Sequence, residues 1–388
     1  MLTILFINLI FMCLTANIFA VVTPLAAAEF GVSDAAIGLM GAAVNFIPLA
    51  VDIPLAGFTE KFGSKNIYRF GLLTALFAVL IPTVSPTAGG IIAAYLFYKL
   101  SSTIYSLPLL SLVSLAPTKL TQSRVQGING FLQGVCGIAG SLLAGFLKDH
   151  CSMQVIYGVL LAFIAIGLTL SIFVKDVAEP KKGHHVSMLG TFRGAVDMLR
   201  HNRTIQKATA LEVIDCFIIY GVYTTYFGLL VTGDFGHSAS FLGVLLSVRV
   251  ILSTVMNLVY PRIADRFGKF VPVCVFFAAG AAVIYLLPFF SSGTHLMILV
   301  IFLGIAAGLS PAAPNTLIGE SCDSTSRPLA FAVTSIVSGI VCTLISLLFS
   351  WLSNFYGLGV LFRVSGIGGM ICAIASIFLF RDKKDVRS

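Results

Sequence analysis

The chain has 388 residues, of which 58% are hydrophobic and 10% charged, against roughly 25% charge in a soluble globular domain. That composition excludes a soluble fold, and the formal charge of +8 then reads as membrane topology rather than affinity for nucleic acid. No C-x-x-C pair occurs among the eight cysteines, and only Cys151 falls in a loop on the outer side, so a structural disulfide is not expected.

Twelve apolar runs lie near 2–25, 36–57, 69–85, 90–114, 126–146, 154–174, 205–231, 240–260, 270–290, 294–318, 328–352 and 358–380. Each approaches the ~20 residues needed to cross a ~30 Å hydrocarbon core as helix. None shows the strict in/out alternation of a barrel strand. The expected fold class is therefore an all-α membrane protein of twelve transmembrane helices in two six-helix bundles. With the N-terminus in the cytoplasm, cytoplasmic segments hold twenty of the 24 Lys and Arg and outer loops hold Lys148 alone. Both termini are then cytoplasmic. The first run lacks a positive n-region and is too long for a cleaved signal, so it is expected to stay.

Taken in order, the spans carry few polar residues, and those few form stripes. Span 1 has Asn8 and Asn17 but no acid; span 2 has Asn45 and, nearer its cytoplasmic end, Asp52. A charged, turn-prone stretch follows, "AGFTEKFGSK", Ala56 to Lys65. Span 4 places Tyr95, Lys99, Ser102 and Ser106 on one helical face. No acid in the same half is evident as a partner for Lys99. After span 4 comes "TQSR", and span 5 contains "GSLLAG", Gly140 to Gly145.

The polar, basic segment 175–204 divides the chain into an N-terminal bundle, 1–174, and a C-terminal bundle, 205–388. Span 7 holds Glu212, Asp215, Tyr223 and Tyr226; counted at 3.6 residues per turn these share a face. Span 8 aligns Arg249, Ser253 and Asn257. The stretch "PRIADRFGK", Pro261 to Lys269, echoes the earlier loop, with Gly63 and Gly268 separated by 205 residues. "STSR" repeats "TQSR" at an offset of 203. Span 10 holds "SPAAPN", whose prolines mark a bend. Span 11 carries Ser335, Ser338, Thr343 and Ser346, and Arg363 lies near the outer end of span 12. The agreeing offsets describe a duplicated six-helix unit with both copies inserted in the same direction.

At these loops the chain resembles the major facilitator superfamily, whose hallmark between helices 2 and 3 reads G-x-x-x-D-R-x-G-R-K. The second copy keeps Asp265, Arg266, Gly268 and Lys269; the first has Glu60, Lys61, Gly63 and Lys65. The resemblance implies a conformational latch at both loops and transport by alternating access. "GSLLAG" is similar to the helix-5 motif of the drug/metabolite:proton antiporter branch, with Ser141 in place of its proline. The stretch from "TPLAAAEFG" to "PLAGFTEKFG" also looks like that branch, where Lys99 stands at the place of an arginine.

An ionisable residue at mid-bilayer is costly enough to mark a functional site. Asp215 and Glu212 are candidates for proton coupling. The candidate cavity residues are Lys99, Arg249, Tyr95, Ser102, Ser106, Asn45, Tyr223, Tyr226 and Asn257. Asp215 could equally be the salt-bridge partner of Arg249. All six histidines fall in loops, which points to no metal site, and no nucleotide, hydrolase or dinucleotide motif occurs. The sequence therefore leads to a secondary transporter, not an enzyme, with no cofactor, acting as a monomer in a bacterial inner membrane. It would export a small organic solute against protons; the alternative cargo is an organic anion recognised by Lys99 and Arg249.

Overall fold

The computed structural model describes residues 1–115, 122–174, 199–309, 312–321 and 327–380. Among them every regular element is helical. Six helices form the first half: α1 (Leu2–Glu29), α2 (Asp34–Phe62), α3 (Ser64–Val84), α4 (Ala88–Leu115), α5 (Gln122–His150) and α6 (Met153–Ile172). In the second half α7 runs from Arg203 to Asp234, followed by α8 (Ala239–Phe267) and α9 (Val271–Leu286). Next come α10 in two segments, Gly293–Ala307 and Ala312–Ser321, then α11 (Arg327–Leu352) and α12 (Leu358–Phe380). Eleven of these helices are long and apolar enough to cross a membrane, and a helix pairs most of its backbone polar groups within its own segment, as lipid requires. The chain is a multi-pass membrane protein.

Two compact units divide the chain. The first comprises Met1–His184 with Gly236–Ser247, the second His185–Phe235 with Val248–Ser388. In the first unit the packed interior runs through Leu5, Met12, Phe19, Tyr68, Tyr98 and Leu160. Small residues set the closest approaches, as expected where helices associate without a hydrophobic drive. A Cβ on Gly71 would sit 2.7 Å from the Tyr105 backbone nitrogen, so α3 and α4 touch there. Asn8, the buried amide of α1, donates to the Gly167 carbonyl at 3.0 Å.

The "GSLLAG" stretch acquires a packing reason in the same unit. A Cβ on Gly140 would meet Asn17 at 2.6 Å, and one on Gly145 would collide with the Ala239 carbonyl. Asp149, at the end of α5, accepts from the backbone N–H groups of Ala239 (2.9 Å) and Ser240 (2.7 Å). That carboxylate caps the first turn of α8, where orphan donors and the helix dipole favour an anion. Beside it Lys148 pairs with Glu29 of α1 at 2.5 Å.

The second unit contains a correction. Cys216 of α7 and Cys342 of α11 are joined by a disulfide, although the scattered cysteines of the sequence suggested none. A bond spanning 126 residues leaves no local motif to read. The outward faces of both units are the reverse of a soluble surface: Phe70, Phe77, Phe131, Phe302 and Phe378 are all exposed. Trp351, Phe355 and Tyr356 cluster at the end of α11, the position of an interfacial aromatic anchor.

Candidate functional site

Charged groups within the spans gather at one place in each unit. In the first, Lys99 is half-buried on α4, and its backbone carbonyl accepts from the Ser102 hydroxyl (2.8 Å) and the Thr103 hydroxyl (3.1 Å). Those bonds turn Ser102 of the stripe, and Thr103 beside it, back onto their own helix, which is how a hydroxyl is satisfied in an apolar setting. Ser106 does the same towards Thr103 at 3.3 Å and is exposed. Tyr95 stacks on Phe19 with ring centroids 6.0 Å apart. Contrary to the sequence reading, Lys99 does have an acidic neighbour in its own half: Asp52 of α2 interacts with it electrostatically. Asp52, which the sequence places nearer the cytoplasmic end of its span, is thus within electrostatic reach of the span-4 lysine. Asn45 lies half-buried on the same helix, nearly two turns earlier.

In the second unit the site is built on an irregular helix. Arg203–Asp215 is regular α-helix, opened by Asn202, whose side chain accepts from the N–H groups of Thr204 (3.0 Å) and Ile205 (3.3 Å). At Cys216–Tyr220 the backbone widens into a π turn, closed by Gly221 N–H donating to the Cys216 carbonyl at 2.7 Å. Tyr223–Leu229 is α-helical again, and a second π turn covers Leu230–Asp234. π turns recur at functional positions because each inserts a residue and re-aims the side chains beyond it. The even face inferred for Glu212, Asp215, Tyr223 and Tyr226 assumed an unbroken 3.6-residue period, which the chain does not keep.

The re-aiming brings in a residue that periodicity passed over. Tyr220 lies in the electrostatic field of Asp215, Glu212 and Arg249 together. Glu212 also interacts with the Ser338 hydroxyl of α11. Asp215 is buried, at 6% exposure, and Tyr226 is fully enclosed. Arg249 lays its guanidinium over the Tyr223 ring, 5.3 Å from the centroid, a cation–π contact. Neither Arg249 Nε nor the Tyr223 hydroxyl has a hydrogen-bond partner among the described residues. Glycines of α10 fix where Arg249 stands: Cβ atoms on Gly304 and Gly308 would meet the Arg249 carbonyl at 3.0 Å and the Ser253 carbonyl at 2.6 Å. Ser253 bonds back to Val250 at 3.0 Å, and Asn257 is half-buried one turn further. Arg363 lies over the Phe289 ring, 5.7 Å from the centroid, near the opposite end of its helix from the C-terminal tail.

The two duplicated loops share one local geometry. Gly63 has φ 83° and Gly268 φ 87°, where side chains other than hydrogen are strained. Each N–H returns to the carbonyl four residues earlier, Thr59 at 3.0 Å and Ala264 at 3.1 Å. Each preceding base also covers its neighbouring ring: Lys61 lies over Phe62 at 5.2 Å and Arg266 over Phe267 at 5.3 Å. Lys61, Asp265 and Arg266 are exposed, Lys65 and Lys269 half-buried. The side chain of Glu60 and the stretches "TQSR" and "STSR" lie outside the described residues in whole or part, as do the linker 175–198 and Ser310 and Pro311 of "SPAAPN".

Comparison with known proteins agrees with this duplication. The family profile described as Major Facilitator Superfamily matches residues 5–210 and again 209–388. No curated protein matches the chain in sequence. Among solved structures, a D323A mutant of the nucleoside transporter NupG superposes with TM-score 0.79 at 13% identity, covering 97% of this chain and all of that one. A POT family transporter in complex with 5-aminolevulinic acid gives 0.75 at 12% identity, covering 100% and 96%. A bacterial homologue of the human lysosomal transporter Spinster, inward-facing and unoccupied, gives 0.70 at 13% identity, covering 97% and 95%. At such identities the likeness establishes the fold and leaves the cargo open. On a family profile spanning nearly every residue, matched once per half, this chain belongs to the Major Facilitator Superfamily and is a secondary transporter.

Proposed function

We propose that the protein exports a small organic solute in exchange for protons, with the helix-7 carboxylates Asp215 and Glu212 carrying the coupling. One observation carries this reading: Tyr220, at the first π turn of α7, lies within the electrostatic reach of Asp215, Glu212 and Arg249 together. A buried carboxylate near a guanidinium has two stable conditions, ionised and paired or protonated and released. Binding of solute at Arg249 and Tyr223 would then favour one of them, linking cargo to proton. The gradient is an adequate source, since one charge moving through 100 mV yields ~2.3 kcal/mol. The membrane is taken to be a bacterial inner membrane with both termini cytoplasmic, and the working unit a monomer.

A second reading, transport of an organic anion, has one observation in its favour. Arg249 presents a buried Nε–H with no partner among the described residues, a donor suited to a carboxylate or phosphate. Lys99 lends it less support, because Asp52 already answers its charge.

The test uses everted vesicles holding a preformed pH gradient read by a fluorescent amine. A nucleoside, 5-aminolevulinic acid and a dicarboxylate are added in turn; a solute of the transporter should collapse the gradient in wild type. Asp215→Asn should abolish that response yet leave solute binding, since the amide imitates the protonated acid. A response unchanged in both Asp215→Asn and Glu212→Gln would remove α7 as the coupling site. Orientation is tested separately with an impermeant thiol reagent on intact cells. Cys151 should be labelled and Cys322 spared, and the reverse pattern would overturn the topology.

A further inference from the structure

Away from both charge clusters, the second unit holds a groove of about 530 Å³ where the start of α7 meets the end of α12. Its volume falls in the ~300–1,000 Å³ range of small-molecule sites. Leu199, Val213, Ala375 and Leu379 form apolar walls, while Arg200 and Gln206 stand at the rim. Val213 and Asp215 are two residues apart on regular helix, about 160° around its axis. The groove thus lies on the far side of α7 from Asp215.

The rim is a constructed feature. Gln206 donates its side-chain amide to the carbonyls of Leu199 (2.8 Å) and Arg200 (3.2 Å). That clasp pins the short turn before α7 onto the helix and fixes Arg200 at the mouth, where it is exposed. A guanidinium at one end and aliphatic walls along the rest reproduce the polarity of an anionic phospholipid, phosphodiester first and acyl chain behind it. A water-soluble solute would find almost no polar partner beyond the rim. The sequence that follows α12, "RDKKDVRS", carries four bases to two acids, a composition that favours anionic headgroups.

We propose that this groove binds one anionic phospholipid, with an acyl chain between α7 and α12 and the phosphate held by the Arg200 guanidinium. Arginine suits the role because its planar fork meets two phosphate oxygens at once. On the topology given above the lipid belongs to the inner leaflet, but the site requires neither that assignment nor proton coupling.

Cys372, a free cysteine lining the groove, provides a reporter. The full chain is purified in a mild detergent, stripped of lipid, and titrated with phosphatidylglycerol or with phosphatidylcholine of identical chains. Binding is read by native mass spectrometry, and alkylation of Cys372 by N-ethylmaleimide is followed by peptide mapping. Phosphatidylglycerol should bind about tenfold more tightly than phosphatidylcholine, because both present the phosphodiester but the choline cation neutralises the headgroup and repels the Arg200 guanidinium. It should also slow alkylation of Cys372. Arg200→Gln should reduce the preference to less than about twofold, and Arg200→Lys should restore part of it. Arg200 is exposed, so neither change threatens folding. Equal binding of the two lipids by wild type, a preference that survives Arg200→Gln, or an unprotected Cys372 would each overturn the proposal. Equal protection by inorganic phosphate alone would also overturn it, by revealing an anion site with no lipid in it.

Discussion

Lys99 and Arg249 are the bases set deep in the spans, one per unit, and they are held in different ways. Lys99 stands on an α4 whose polar side chains bond back to their own backbone, with Asp52 as an electrostatic counterweight on α2. Arg249 stacks on a ring instead, keeps an unsatisfied Nε–H among the described residues, and faces a helix interrupted twice. A base balanced by a neighbouring acid on regular helix is finished structure. One with a spare donor beside an interrupted helix keeps a hydrogen-bonding capacity that its own fold does not use. The two halves therefore hold their mid-span bases differently, and among the described residues Arg249 retains a buried Nε–H without a hydrogen-bond partner.

The largest effect that would break this contrast concerns Arg249. Arg249→Gln is expected to bring solute uptake in proteoliposomes to background, and Arg249→Lys is expected not to rescue it, because an ammonium lacks the planar face and fork. Full uptake by Arg249→Lys would show that the charge alone matters and that the two bases are equivalent.

Next in size is the Asp52–Lys99 pair. Asp52→Asn or Lys99→Gln alone should each cost about 1–3 kcal/mol, since each leaves one charge unanswered in a low-dielectric setting. The double variant should recover most of the loss. Thermal unfolding in detergent measures all three, and simple additivity would mean that the pair is uncoupled.

At the duplicated loops, Gly63→Ala and Gly268→Ala should each cost about 1–2 kcal/mol, from the positive φ that both share. Asp265→Asn should reduce transport with normal expression, and Glu60→Gln should reduce it less, because the second copy retains more of the hallmark. Wild-type transport in both would reduce the motif to a turn. The smallest effect is expected of Tyr220→Phe, about a threefold loss of transport rate with an unchanged melting temperature, the scale of one hydrogen-bonding hydroxyl. A loss as large as that of Asp215→Asn would make Tyr220 an obligatory partner rather than an adjunct.

These comparisons also show what hydropathy could reveal and what it could not. The apolar run at 69–85 became α3, Ser64–Val84, and that at 154–174 became α6, Met153–Ile172, because length and apolarity are read directly by the bilayer. The repeat was equally legible, since the loops ending at Gly63 and Gly268 recur at nearly the offset that separates "TQSR" from "STSR". Tyr220 was not. α7 is the most enclosed of the spans, and a helix apolar on nearly all sides gives no periodic signal from which an inserted π residue could be detected. The partner of Lys99 was missed because depth along a span says nothing of which charged side chain on a neighbouring helix comes near it. The disulfide escaped for a related reason: Cys216 and Cys342 become neighbours only once α7 and α11 are packed.

That disulfide turns the stretch from Cys216 to Cys342 into a closed covalent ring through which most of α7 and all of α8, α9 and α10 are strung. A protease cutting once anywhere on that ring would leave a single molecule of unchanged mass on a non-reducing gel. The same cut made in the linker 175–198, outside the ring, would release two fragments under either condition.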